Sequence, residues 1–125
     1  TNLCRKVGRK EISGEIYAAG IVHDFGEVLF ERVGCSMQAE KFGLKHEEYG
    51  AILLERWNFP ILHVEMTRFH HTPSLVADPY KFHTHVLYLA EMISSCKPGA
   101  KIKDPYFPEA LEFLKLTEKD LQKLN

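Results

Sequence analysis

The chain has 125 residues, 45% of them hydrophobic and 26% charged, with a formal net charge of −1. That length suits one domain with a real hydrophobic core, and so even a charge balance gives nothing to steer the chain to nucleic acid or an anionic membrane surface. Its longest apolar stretches, such as Ala51-Ile52-Leu53-Leu54, fall far short of the roughly 20 residues that cross a bilayer.

Apolar residues recur at helical spacing along the whole chain, and no run alternates as a strand would. Thr1 to Arg9 reads as the end of a helix begun upstream. Glu11 to Asp24 reads as a helix with Ile12, Ile16, Ala19, Gly20 and His23 on one stripe, interrupted by Phe25-Gly26. A short helix is expected over Glu27–Val33, stopped by Gly34, and another over Met37–Phe42, capped by Ser36 and ended by Gly43. Lys45 to Trp57 is the clearest helix: His46, Tyr49, Gly50, Leu53 and Trp57 share one face, with Glu47, Glu48, Glu55 and Arg56 toward the other. Asn58-Phe59-Pro60 breaks it, and Pro60 suits the first turn of a helix running to His70. Thr72-Pro73 ends that helix, because the residue before a proline avoids the α region. Asp78 or Pro79 opens a long helix to about Cys96, with Phe82, Val86, Leu89, Ala90 and Ile93 inward and Pro98-Gly99 as its stop. Pro108–Leu114 forms a further short helix, and Thr117-x-x-Asp120 is a capping box for a last one near Leu124. The expected fold is all-α: one domain over residues 1–125, a compact bundle of about seven or eight helices.

Cys4, Cys35 and Cys96 are odd in number and lack C-x-x-C spacing, which argues against a disulfide framework or a zinc knuckle and fits a reducing cytoplasm. Seven histidines are the unusual feature. His23-Asp24 closes an apolar helix, so a nitrogen and a hard carboxylate oxygen can turn toward one point, a mixture suited to Fe, Mn or Zn. His46 lies on the inward stripe with Gly50 one turn on. His70-His71 is a second pair at a helix end, which also suits it to cap the last carbonyls. His63, His83 and His85 have no clear place.

These residues stand in a recognisable order. Ala18-Ala19-Gly20-Ile21-Val22-His23-Asp24-Phe25-Gly26-Glu27 resembles the signature of HD-superfamily phosphohydrolases, A-x-L-L-H-D-I-G-K. The segment from Lys45 to Pro60 resembles the H-x-x-x-G-x-x-L-L-x-x-W-x-L-P element of HDOD domains, His70-His71-Thr72-Pro73 the HH-x-P that follows, and Leu89-Ala90-Glu91 the L-A-D of the next helix. The resemblance runs from about Thr1 to Asn125. It implies an HD-type helical fold lacking its N-terminal segment, with the superfamily's upstream histidine lying outside this chain. It also implies an inherited metal site of His23, Asp24, His46, His70, His71 and Glu91, with Asp24 best suited to bridge two ions.

Two departures bear on activity. Glu27 stands where catalytic relatives carry a phosphate-binding lysine, and a glutamate there repels a phosphodiester. Glu91 replaces the usual aspartate and carries its carboxylate one methylene further. Thr72-Pro73-Ser74-Leu75 also stands where the phosphodiesterase subfamily has G-Y-P. The reading is therefore a cytoplasmic bacterial signalling or regulatory module, non-catalytic and working through other signalling proteins, with a second copy as a further expected partner. The alternatives are a site that holds metal without turnover, and a metal-dependent phosphohydrolase acting on a nucleotide or phosphodiester.

Overall fold

The structure is a computed structural model and describes residues 2–6, 8–24, 45–95 and 102–122. Seven α-helices occur among the described residues: α1 (Asn2–Lys6), α2 (Ser13–Val22), α3 (His46–Arg56), α4 (Ile61–Phe69), α5 (Asp78–Ser95), α6 (Phe107–Leu114) and α7 (Glu118–Gln122). Single 3-10 turns at Lys10–Ile12 and Pro73–Leu75 precede α2 and α5. No strand occurs among the described residues, so the fold is all-α as expected. The helices expected over Glu27–Val33 and Met37–Phe42 lie outside the described residues, as do Cys35, Cys96 and the Pro98-Gly99 stop. Among the described residues no helix is long and apolar enough to cross a membrane.

Helix ends follow local chemistry. Three of them close with the same pair of backbone bonds. After α1, the Gly8 N–H donates to the Arg5 carbonyl (3.1 Å) and the Arg9 N–H to the Cys4 carbonyl (2.9 Å). Gly8 takes φ +77 to do so, a conformation that costs glycine nothing. This cap ends α1 at Lys6, earlier than the sequence pattern implies. Asn58 (φ 58) closes α3 and Lys115 (φ 57) closes α6 in the same way. In each, the residue after the left-handed position and the one five before it, Phe59 with Leu54 and Leu116 with Leu111, lie in a shared apolar cluster. Pro60 sits just ahead of α4 at ψ 143 rather than within it. The capping box is present: Asp120 Oδ2 accepts the Thr117 N–H at 2.9 Å, and Thr117 Oγ1 accepts the Asp120 N–H at 3.3 Å.

Helix α5 is the axis. Thr84 through Leu89 are six consecutive buried residues, because α1, α2, α4, α6 and the Pro73–Leu75 turn all pack on it. The expected one-sided stripe is therefore too narrow: Phe82, Ala90 and Ile93 are only partly buried. Around Val86–Leu89 the main core gathers Cys4, Ile12, Ile16, Ala19, Met66, Phe107, Ala110 and Leu114. Each large apolar side chain fully buried there contributes about 1.5–3 kcal/mol. Buried Tyr88 donates to Asp104 Oδ1 at 2.6 Å, and the same oxygen accepts the Tyr106 N–H at 2.9 Å, so 104–106 is tied to the axis. Burial and the Asp104 carboxylate both push the phenol pKa up, which keeps it a donor.

Two face assignments need correction. On α3 the buried residues are Gly50, Ala51 and Leu54, whereas Trp57 is 52% exposed. The helix carries apolar residues around more than half its girth, and packing with α4 selects the Ala51–Leu54 side against Val64. On α2 the stripe of Ile12, Ile16, Ala19 and His23 is buried, but Gly20 is exposed.

His85, also on α5, belongs to neither histidine group. It is buried, stacked on Phe113 at 4.3 Å, and its Nδ1–H donates to the Lys81 carbonyl at 2.6 Å. Burial pushes its pKa down, outweighing the backbone bond that favours the charged ring. Its contribution to stability is therefore complete above the ordinary histidine pKa and lost as pH falls below it. Wild-type protein should lose more unfolding free energy between about pH 6.5 and 5 than His85→Gln does. Urea titrations at both pH values check this, and equal losses would contradict it.

Candidate metal centre

The sequence sets five of the six candidate ligands at helix boundaries. His23 and Asp24 follow the last turn of α2, His46 opens α3, and His70 and His71 follow the last turn of α4. Glu91 projects from α5, where α2 and α4 cross it. The structure brings all six sequence-predicted residues together in two groups that share His70: His23, Asp24, His70 and Glu91 in one, His46, His70 and His71 in the other. Within each group the potential ligand atoms lie within 4.8 Å of one another.

In the first group His23 Nε2 is 3.2 Å from Asp24 Oδ2 and 3.6 Å from Glu91 Oε1. His70 Nε2 is 3.4 Å from Asp24 Oδ1 and 3.9 Å from Glu91 Oε2. Donors that each sit about 2.0–2.2 Å from one ion are separated by roughly 3–4 Å, and these distances fall in that range. The longer arm of Glu91 reaches both histidines. In the second group His46 Nε2 and His71 Nε2 are 3.3 Å apart, with Asp24 Oδ1 3.8 Å from His46 Nε2. Asp24 thus turns one oxygen toward His23 and the other toward His70 and His46.

The ring orientations are fixed by backbone. His23 Nδ1–H donates to the carbonyls of Ala19 (3.1 Å) and Gly20 (2.9 Å), and His70 Nδ1–H to that of Thr67 (2.6 Å). All three carbonyls belong to last helical turns, where backbone acceptors outnumber donors; that of Ala19 also accepts the His23 backbone N–H at 2.8 Å. With Nδ1 holding the proton, a neutral ring presents its Nε2 lone pair to the cluster, as a metal-binding histidine does. His23 Nε2, His70 Nε2 and Glu91 Oε2 are buried and have no hydrogen-bond partner. They sit in the ion-pair contacts given above, and three of them facing one point fit a cation.

Electrostatics agree with that fit. Burial lowers the His23 pKa, but the close carboxylates of Asp24 and then Glu91 outweigh it and raise the ring to about 10. The same contacts, from His23 first and then His70, hold Asp24 well below the ordinary carboxylate range. Glu91 is also lowered, its burial outweighed chiefly by His23. His71 is pushed down by burial and by the neighbouring His70.

The remaining histidines stay outside the cluster. His83 Nε2 pairs with Glu15 at 2.7 Å, His85 stacks on Phe113, and the His63 ring lies near Phe59. One residue that the sequence assigned to the opposite face of α3 belongs to the site: Glu47, whose Oε2 is 3.3 Å from His46 Nδ1 and whose side chain is only 12% exposed. Its position directly after a ligand histidine at a helix start is the signal that could have found it. Glu27, which the resemblance sets at the phosphate-binding position, lies outside the described residues.

The HDOD domain family model matches residues 31–73, a stretch that contains His46, His70 and His71. An uncharacterized protein of Treponema pallidum (strain Nichols) is 29% identical over 97 residues, covering 63% of this chain and 19% of the relative, so the chain spans about a fifth of that protein's length. No solved structure matches. The resemblance read from the sequence is thereby borne out: the chain carries an HDOD match over residues 31–73, in an all-α fold.

Proposed function

We propose that this chain is an HD-type regulatory module that holds divalent metal and does not turn over phosphoesters. The observation that carries the reading is the set of three buried, unpartnered ligand atoms, His23 Nε2, His70 Nε2 and Glu91 Oε2, converging beside Asp24. Imidazole nitrogens with carboxylate oxygens suit Fe, Mn or Zn. One ion belongs to His23, Asp24, His70 and Glu91. His70 has a single free nitrogen, so a second and weaker ion would be held by His46 and His71, with Asp24 Oδ1 nearby at 3.8 Å from His46 Nε2. Bound there, the metal would supply fixed positive charge that pins α2, α3 and α4 to α5. In this reading the metal state sets the surface offered to other signalling proteins in the cytoplasm.

Glu27 argues against turnover, since a carboxylate in the phosphate-binding position repels a phosphodiester. The test is hydrolysis of bis(p-nitrophenyl) phosphate and of nucleoside triphosphates by protein reconstituted with Mn, Fe or Zn. No rate above the metal-only control is expected. Hydrolysis that the His70→Ala variant loses would overturn the reading in favour of a phosphohydrolase.

A further inference from the structure

We infer that Glu47 is a positioning residue for the second ion, holding His46 in the tautomer that points Nε2 at His71 and Asp24. The inference rests on the metal reading above and concerns a residue outside the six ligands. It begins from helix polarity. His23 and His70 end their helices, so each finds carbonyls of the preceding turn for Nδ1–H: Ala19 and Gly20 for one, Thr67 for the other. His46 is the first residue of α3, and Lys45 before it is extended at ψ 159. His46 opens α3, so α3 has no earlier turn whose carbonyl could accept its Nδ1–H.

Glu47 instead brings a side-chain carboxylate into ion-pair contact with that nitrogen. Its Oε2 stands 3.3 Å from His46 Nδ1, while His46 Nε2 faces His71 Nε2 at 3.3 Å and Asp24 Oδ1 at 3.8 Å. A carboxylate on one ring nitrogen keeps the proton there and makes the other nitrogen a stronger donor to metal. The side chain of Glu47 is 12% exposed although it lies in the first turn of a helix, where a carboxylate gains equally from facing water near the N-terminal dipole. Half-buried against a ring, it is oriented by the cluster rather than by solvent. Glu47 also supplies negative charge beside the two-histidine group, and together with Glu91 it favours the charged form of His71.

Titration of metal-free full chain with Zn and with Co, followed by calorimetry and by the visible absorption of Co, separates the two sites. For Glu47→Ala the weaker site should lose roughly 10–100-fold in affinity while the tighter one stays as in wild type. Glu47→Gln, which keeps an acceptor oxygen for Nδ1–H, should recover part of that loss. Wild-type affinities at both sites in Glu47→Ala would overturn the inference and leave the metal reading standing. Equal weakening of both sites with loss of helical circular dichroism would also overturn it, since Glu47 would then act only on folding. A wild-type chain that takes up neither Zn nor Co would overturn the metal reading and this inference together.

Discussion

Stripping divalent metal with a chelator will lower the thermal midpoint of this protein by roughly 10 °C or more, and returning Zn, Mn or Fe will restore it. The expectation follows from what the folded chain holds together. Among the described residues three buried potential ligand atoms form no hydrogen bond of good geometry and sit in ion-pair contacts at 3.2, 3.6, 3.4 and 3.9 Å, contacts that an ion at their centre would replace with direct coordination. An ion bound only by the folded state, present at a thousandfold its Kd, adds about 4 kcal/mol. In a domain of this size each kcal/mol moves the midpoint by several degrees. The difference should also depend on pH. In chelated protein His23 titrates at about 10 against an unfolded value of 6.5. Its pairing with Asp24 and Glu91 therefore contributes fully below pH 6.5 and is lost as pH rises toward 10. Metal competes with that same proton for Nε2, so metal affinity rises over the same range. The gap between loaded and chelated protein widens with pH. Identical melting curves with and without chelator, at pH 6.5 and at pH 8.5, would contradict the account.

The ligand set was legible because its residues sit where helices must stop. His23-Asp24 stands just before Phe25-Gly26, His46 just after the Gly43 break, and His70-His71 just before Thr72-Pro73. Glycine and proline mark those ends in the sequence, and helix ends are where two consecutive side chains can face one point. Glu91 was legible only through the L-A-E order, since spacing alone does not say which face of a long helix meets the other three.

What stayed hidden was set by partners rather than by pattern. The face of α3 could not be read because Tyr49, Ile52, Leu53 and Trp57 offer as much apolar surface as Ala51 and Leu54, and among the described residues packing against α4 decides between them. The all-round burial of Thr84 to Leu89 reflects five neighbouring elements on α5. Thr84 and His85 read as polar in sequence, yet both satisfy themselves on carbonyls one turn back, Tyr80 and Lys81. Glu47 was assigned to solvent by its charge. Its contact with His46 depends on His46 opening α3, which a hydropathy pattern does not register.

His70 is the residue on which both groups depend. It is completely buried, its Nδ1 is committed to Thr67, and its Nε2 faces Asp24 and Glu91. Replacing it by alanine removes a ligand from the tighter site and frees Asp24 from the geometry that serves the weaker one. The decisive measurement is elemental analysis of untagged protein, purified without chelator, for wild type and His70→Ala. The account predicts near-stoichiometric Fe, Mn or Zn in wild type and close to none in the variant, with helical circular dichroism retained at low temperature. Metal-free wild type that also fails to take up any of the three on reconstitution would contradict it.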